Sequence, residues 1–214
     1  MQNKSKQLWR RAYVCYAAAL YLTALPVLSA QAQSTPKATP THAHEYAQLR
    51  DFALPFKDFT FKTLDDTSVN LRAATQGKQL VLVHYFATWC HSSNYDVQVV
   101  NELYRKYKDQ GFIVIAICEY SKADDVRDFM AQHKPEYTVL IESTRTKERA
   151  NTTHYAYRQM LEDTRSWGTP LNIFLLPADF SATGEFLTSR ARVVPGELIK
   201  TDIEEFIRQQ LKLP

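Results

Sequence analysis

The stretch LVLVHYFATWCHSS, residues 80–93, contains an apolar run typical of a buried strand, followed closely by a cysteine, Cys90. Leu80 to Ala87 is a nearly continuous apolar run, which is typical of a strand covered on both faces of a sheet. After Cys90 the apolar residues recur with helical spacing as far as Gly111, a residue type that commonly ends helices. The sequence therefore predicts a strand, a turn that carries Cys90, and a helix that starts there.

The neighbouring segments extend this unit into an α/β fold. Residues 59–71 (FTFKTLDDTSVNL) alternate apolar and polar side chains around two aspartates, which predicts an N-terminal β-hairpin. The other predicted elements are a strand at 112–118, a helix that begins at a capping box of Ser121 and Asp124 and ends near His133, a strand at 137–141, an antiparallel pair of strands at 171–176 and 185–193, and a helix at 197–211. This order predicts a central mixed sheet with helices on both faces. Chemistry in such sheets lies beyond the carboxyl ends of the strands, where Cys90 is placed.

The N-terminal segment has the composition of an export signal. Its basic residues precede an apolar stretch at 12–30, which ends in Ala-Gln-Ala at 30–32. We therefore expect residues 1–32 to be a signal peptide that is cleaved on export, with the periplasm as the destination. An uncleaved membrane anchor is the alternative, because an apolar stretch of 19 residues is near the shortest that spans a bilayer.

Residues 33–50 are rich in threonine, proline and alanine and show no apolar period, which predicts a flexible tether. His42 and His44 lie in this segment, where a His-x-His pair is more typical of solvated side chains than of a metal site. Residues 51–214 then suit one domain with a single core. Within that domain, residues 144–164 form a polar, helix-prone insertion.

The composition excludes several classes of protein. With 45% hydrophobic and 23% charged residues, the chain has the composition of an ordinary globular protein. Three cysteines are too few for a disulfide-stapled miniprotein or a cysteine-rich zinc domain. Cleavage after Ala32 would remove four basic residues and change the net charge from +3 to −1, so no basic excess remains for nucleic acid. We predict no nucleic-acid partner, no metal site and no cofactor.

Cys90 is the candidate nucleophile. A helix N-terminus carries partial positive charge and unpaired N–H groups, and a thiol there gains thiolate character, the reactive form. His91 follows directly and would add positive charge when protonated. In contrast, Cys118 ends an apolar strand and is predicted to be a buried structural residue, and His84 in mid-strand is predicted to be a core histidine with a hydrogen-bonded partner.

The run FATWC at 86–90 closely resembles the active-site approach of thioredoxin-like proteins, particularly the exported thiol–disulfide oxidoreductases of the TlpA and ResA type. The resemblance covers about residues 50–212 and includes the hairpin at 59–71 and the passage LYRKYKDQGFIVIAI after the first helix. It implies a thioredoxin-like fold and thiol–disulfide exchange. The expected partners are polypeptide or low-molecular-weight thiols and disulfides, with a redox partner protein as a further possibility.

The resemblance also implies roles for individual residues. Thr169 and Pro170 match the family's cis-proline loop, which lies against the active-site thiol and pairs with the backbone of bound polypeptide. Asp96 falls where these relatives place a buried acid that assists proton transfer, although stabilisation of the helix N-terminus is an equal interpretation. Trp89, directly before the nucleophile, would shape the substrate surface, and Trp167 would lie beside it or belong to the core.

One position departs from the family's Cys-x-x-Cys motif, because this chain has Ser93 where the resolving cysteine would stand. A serine cannot release a mixed disulfide, although its hydroxyl can donate a hydrogen bond to the Cys90 thiolate. Exchange by a 90/93 dithiol is therefore excluded. The preferred interpretation is a monothiol enzyme with isomerase-like or deglutathionylating activity, in which an external thiol resolves the intermediate.

Three other interpretations stay open. Cys118 would act as the resolving thiol if the two sulfurs can meet, which requires Cα atoms within about 7 Å. The protein would be a non-catalytic binding module if the proline loop only docks polypeptide. A single cysteine also suffices to reduce peroxide, but peroxiredoxins carry Pro-x-x-x-Thr-x-x-Cys, and Val83 and Ala87 stand at the first two of those positions. A copper chaperone of the Sco type would need a second cysteine at position 94, which is Asn94.

Overall fold

The centre of the protein is an eight-stranded mixed sheet. The computed structural model describes residues 43–214. The strands are β1 (Tyr46–Ala47), β2 (Arg50–Phe52), β3 (Phe56–Lys57), β4 (Thr60–Lys62), β5 (Ser68–Asn70), β6 (Leu80–Phe86), β7 (Phe112–Cys118), β8 (Thr138–Ile141), β9 (Leu171–Leu175), β10 (Phe186–Thr188), β11 (Ala191–Val194) and β12 (Glu197–Leu198). The α-helices are α1 (Leu71–Ala74), α2 (His91–Tyr107), α3 (Ala123–His133), α4 (Thr153–Met160) and α5 (Lys200–Gln210).

The strand order in this sheet is β2-β11-β9-β6-β7-β8-β4-β5. Strands β6, β7 and β8 run parallel, whereas β9 pairs antiparallel with β6, and β4 pairs antiparallel with β8. The predicted hairpin at 59–71 is confirmed by the antiparallel pairing of β4 with β5. Phe86 at the end of β6 stands opposite Cys118 at the end of β7, so both strands finish at the edge of the sheet that carries Cys90.

Each face of the sheet has its own apolar core. One core contains Val97 from α2, Val126 from α3 and Ile203 from α5. The other contains Leu71 from α1 and Tyr157 from α4. All seven residues of β6 are buried, which explains why its sequence is a continuous apolar run rather than an alternating one. The prediction of a mixed sheet with helices on both faces is confirmed.

The predicted tether extends too far toward the domain. Residues 46–47 already pair as β1 with β12, and residues 50–52 pair as β2 with β11. His44 Nδ1 lies 2.6 Å from a carboxylate oxygen of Glu197, which is fully buried. Two edge pairings and a buried acid therefore hold a segment whose composition predicts a mobile chain. Residues 1–32 and the first part of the tether, including His42, lie outside the described residues.

Three other predictions need correction. Glu197 does not begin the last helix, because its carboxylate accepts the N–H of Glu45 and holds β12 in place, so α5 starts at Lys200. The predicted strand at 185–193 is split into β10 and β11, because the Thr188 hydroxyl accepts the N–H of Arg190 and turns the chain. Only β11 pairs with β9.

Ser121 does not cap α3. Its side chain is buried, its hydroxyl donates to the carbonyl of Glu119 and accepts the N–H of Thr88, and Lys122 occupies the N-cap position without a side-chain hydrogen bond. The hydroxyl thus ties the end of β7 to the turn after β6. In residues 43–214, no helix is both long enough and apolar enough to cross a membrane.

Candidate active site

Cys90 stands at the N-cap of α2 with its side chain half-buried. Its N–H donates to the carbonyl of Ala87 at 3.1 Å, which closes the turn between β6 and the helix. Its Sγ lies 3.2 Å from the carbonyl oxygen of Thr169 and donates a hydrogen bond to it. The structure therefore brings the predicted nucleophile and the predicted proline loop into direct contact.

The turn that carries Cys90 is held by a residue that sequence reasoning missed. The side-chain amide of Asn94 donates to the carbonyls of Thr88 at 2.8 Å and Cys90 at 2.9 Å, and its oxygen contacts His133. Asn94 follows Cys90 by four residues, about one helical turn, and this spacing is the sequence feature that could have indicated a contact between them. With Ser121 bound to the N–H of Thr88, the turn is fixed from two sides.

The opposing loop contains a cis peptide bond between Thr169 and Pro170. The guanidinium of Arg165 donates to the carbonyl of Gly168 at 3.0 Å and to that of Pro170 at 3.1 Å. Because a guanidinium presents several donors in a fixed plane, one side chain can hold both ends of this short turn. Arg165 is therefore a positioning residue for the loop that faces Cys90.

The insertion at 144–164 supports the same loop from behind. Arg158 on α4 is 1% exposed, and its Nε lies 3.2 Å from Asp163 Oδ2. The imidazole of His154 lies 3.2 Å from the carbonyl of Gly168 and 2.9 Å from the hydroxyl of Tyr120. Burial lowers the pKa of His154 to about 3, so the ring is neutral and bridges the loop to the end of β7. One face of α4, with His154, Tyr157 and Arg158, is therefore packed into the protein.

Two tryptophans border the site. The ring centroids of Trp89 and Trp167 are 5.3 Å apart in an edge-to-face arrangement. Trp89 Nε1 donates to the carbonyl of Tyr120 at 3.3 Å, yet the residue is 46% exposed. An anchored aromatic side chain with half of its surface in water is suited to contact a ligand. The structure thus places both tryptophans beside the two loops that meet at Cys90.

The other predicted site residues lie nearby with different contacts. His91 is the exposed first residue of α2. Ser93 is buried, and its hydroxyl oxygen accepts the N–H of Ala87 at 3.4 Å. A hydrogen bond from Ser93 to the Cys90 thiolate therefore stays a prediction.

Asp96 belongs to a buried polar network. Its two carboxylate oxygens accept the N–H of Leu198 and the side-chain amide of Asn172, each at 2.8 Å. The oxygen of Asn172 lies 2.7 Å from His84 Nδ1, so His84 has the hydrogen-bonded partner that the sequence predicts. Burial raises the pKa of Asp96 to about 7 and lowers that of His84 to about 4. Asp96 thus contacts the start of β9, two residues beyond Pro170, through Asn172.

Cys118 is poorly placed to resolve an intermediate. It lies inside the sheet, paired with Phe86 on one side and Ile141 on the other, and belongs to the apolar core. Burial raises the pKa of its thiol to about 12, which keeps it protonated at neutral pH. Both Cys90 and Cys118 are free thiols.

No group of three or more His, Cys, Asp or Glu side chains within residues 43–214 is arranged to hold a metal ion. His44, the second histidine of the His-x-His pair, is the partner of Glu197.

Comparison with known proteins places this geometry in a family. Residues 53–162 match the AhpC/TSA family. The thiol–disulfide oxidoreductase ResA of Bacillus cereus is 31% identical over 62 residues, which cover 29% of this chain and 36% of ResA. Thioredoxin H3 of Arabidopsis thaliana is 26% identical over 80 residues, which cover 37% of this chain and 66% of that protein. The match therefore spans about a third of the length of ResA.

Solved structures show the same fold. The thiol:disulfide interchange protein of the thioredoxin family from Chlorobium tepidum TLS superposes with a TM-score of 0.53 at 21% identity, covering 75% of this chain and 97% of that chain. This likeness confirms the predicted thioredoxin-like fold. Because the family match covers half of the sequence, the chain belongs to the AhpC/TSA family, as a thioredoxin-like protein of the TlpA and ResA type.

Proposed function

We propose that the protein catalyses thiol–disulfide exchange on polypeptide or low-molecular-weight disulfides, with Cys90 as its single nucleophile. The observation that carries the proposal is the contact between the Cys90 sulfur and the carbonyl of Thr169. It sets a partly exposed thiol at a helix N-terminus against the buried Thr169–Pro170 loop, with the exposed side chain of Trp89 next to it. A substrate backbone that lies along Thr169 and Pro170 would bring its disulfide to this sulfur.

The exchange proceeds in two balanced steps. The Cys90 thiolate attacks one sulfur of a substrate disulfide, a new S–S bond forms, and the other substrate sulfur leaves as a thiolate. A second thiolate, from the same polypeptide or from a low-molecular-weight thiol, then attacks the mixed disulfide and releases Cys90. The number of disulfide bonds does not change, so the net reaction is disulfide isomerisation or the transfer of a disulfide to another thiol. Cys118 takes no part, because its thiol is held in the sheet.

The substrate surface would include Trp89, Thr169 and Pro170. His91 would add positive charge near the thiolate when protonated. Ser93 would stabilise the same thiolate through its hydroxyl proton, because its oxygen already accepts the N–H of Ala87. The N-terminal segment supports export as part of this proposal, with the periplasm as the compartment that permits disulfide chemistry.

The test compares the protein with a Ser93→Cys variant. The reduced proteins are mixed with a peptide disulfide, quenched with acid and measured by intact mass and peptide mapping. We expect a long-lived mixed disulfide at Cys90 in the natural sequence, which disappears only when a low-molecular-weight thiol is added. Ser93→Cys restores a neighbouring thiol and should release the peptide without an added thiol.

Two control variants complete the design. Cys90→Ser should form no adduct, and Cys118→Ala should form the same adduct with the same lifetime. An adduct that resolves without an added thiol in the natural protein, but persists in Cys118→Ala, would instead identify Cys118 as the resolving thiol. Complete absence of an adduct at Cys90 would overturn the proposal and favour a non-catalytic module that docks polypeptide.

A further inference from the structure

A groove of about 630 Å³ opens beside the candidate nucleophile. Trp89, Tyr120 and Trp167 form its aromatic wall. Trp89 directly precedes Cys90, and Trp167 lies two residues before Thr169, so the groove borders both of the segments that meet at Cys90. Its volume is in the range of sites that hold a small ligand or a few residues of a peptide.

The rim of the groove carries an excess of positive charge. Lys122, Arg145 and Lys147 line it, against one carboxylate, Asp125. Arg145 is paired with Glu148, whereas neither Lys122 nor Lys147 has an ion-pair partner among the described residues. Two cationic side chains therefore remain available to a ligand.

A further cation, Arg149, stacks against the aromatic wall. The guanidinium carbon of Arg149 lies 5.1 Å from the ring centre of Trp167 and 5.1 Å from that of Tyr155. Stacking of this kind holds an arginine in place while its charge continues to act on the surroundings. The net charge of residues 33–214 is −1, so the positive rim is a local feature and not a property of the whole surface.

We infer that this groove binds acidic residues next to the reacting cysteine of a polypeptide disulfide, an inference that rests on the proposed exchange at Cys90. Apolar parts of the segment would pack on Trp89 and Trp167, and its carboxylates would lie near Lys122 and Lys147. The insertion at 144–164 supplies Arg145, Lys147 and Arg149, so it would set substrate preference as well as support the proline loop. A charged rim of this kind acts mainly on the rate of encounter and on the choice of partner.

The test uses three synthetic peptides that differ only in the residues flanking one cysteine: two glutamates, two serines or two lysines. Each cysteine is linked through a disulfide to 5-thio-2-nitrobenzoate, which absorbs visible light when Cys90 displaces it. At low salt we expect the acidic peptide to react about tenfold faster than the basic peptide, with the neutral one between them. The ratio should fall toward one at about 0.5 M salt, because the Debye length is then only a few ångströms.

A double variant, Lys122→Glu with Lys147→Glu, should reverse the order of the acidic and basic peptides. Lys78→Glu is a control for charge reversal away from the groove, because Lys78 precedes β6 at the opposite end of the strand from Cys90 and should keep the original order. The salt series on the natural protein needs no variant, so the test holds even if the double variant fails to fold. Equal rates for all three peptides would overturn the groove inference alone. No release with any peptide would overturn the exchange at Cys90 as well.

Discussion

The Asp96 carboxylate lies 3.8 Å from Nδ1 of His84, and both side chains are completely buried. Burial raises the pKa of Asp96 to about 7 and lowers the pKa of His84 to about 4. Between about pH 4 and 6.5, the folded protein therefore holds a protonated acid and a neutral imidazole, whereas the unfolded chain holds the reverse. Both states bind one proton on this pair, so the pair gives no net pH dependence to the free energy of unfolding in that range.

Single substitutions should reveal the two opposing contributions. Asp96→Asn leaves only His84, which the unfolded chain protonates more readily, so the free energy of unfolding should rise by about 3 kcal/mol from pH 4 to 6.5 relative to the natural protein. His84→Gln leaves only Asp96, which the folded protein protonates more readily, and the same quantity should fall by a similar amount. Denaturant unfolding at several pH values measures both. If the free energy of unfolding varied with pH in the same way in the natural protein and in both variants, Asp96 and His84 would not titrate as their burial requires.

The two cysteines should differ strongly toward alkylating reagents. Cys90 is half-buried at the surface, whereas Cys118 is enclosed in the sheet with its pKa raised to about 12. We expect iodoacetamide at neutral pH to modify Cys90 within minutes and to leave Cys118 unmodified until the protein is unfolded. Peptide mapping by mass spectrometry separates these sites from Cys15. Rapid modification of Cys118 in the folded protein would contradict the buried position.

Gly168 has no room for a side chain. Its φ is +69°, and a Cβ atom there would overlap the guanidinium of Arg158. Gly168→Ala should therefore lower the free energy of unfolding by more than about 2 kcal/mol and slow exchange at Cys90, because the loop that ends in Pro170 must shift.

Gly77→Ala is a matched control for this loop. Gly77 has a similar φ of +73° but nothing within 4 Å of the added atom. Gly77→Ala should lower the free energy of unfolding by only about 1 kcal/mol, the cost of a positive φ for a residue with a side chain. Thiol–disulfide exchange at Cys90 should be unchanged. Equal losses in both variants would mean that the contact with Arg158 does not matter.

His44 should matter for stability, although it lies in a segment whose composition predicts a tether. Its ring provides one of two donors to the buried carboxylate of Glu197, the other being the N–H of Glu45. His44→Ala should lower the free energy of unfolding by about 1–2 kcal/mol, because a buried acceptor loses a partner. His44→Gln, which keeps a donor at this position, should restore part of the loss. An unchanged midpoint in His44→Ala would show that the segment is detached in solution.

The elements with strong periodicity were predictable. The apolar runs that became β6 and β7, and the helical spacing after Cys90, are local patterns that burial enforces. The proximity of Cys90 to the Thr169–Pro170 loop was implied by the resemblance to a family, which named both segments. In the structure the two segments are in contact, from Sγ of Cys90 to the carbonyl of Thr169, and their role as a functional site stays a prediction.

Long-range polar contacts were not predictable. Ser121 and Asp124 have the spacing of a capping box, but the Ser121 hydroxyl is used by Thr88, 33 residues earlier. Glu197 continues the helical pattern of α5, yet its carboxylate is fixed by the N–H of Glu45, 152 residues earlier. In each case a distant partner decided the role of the side chain, and no local pattern reveals such a partner.

The burial of Arg158 sets a limit on how this site can be transplanted. Its guanidinium fills the space behind Gly168, and Asp163 balances its charge. A designer who moves the Cys90 turn and the Thr169–Pro170 loop onto a shorter scaffold, without the helix that carries Arg158, would leave a cavity under the loop and Asp163 without one of its cations. The smallest portable unit is therefore discontinuous. It consists of the turn, the proline loop and the insertion, moved together.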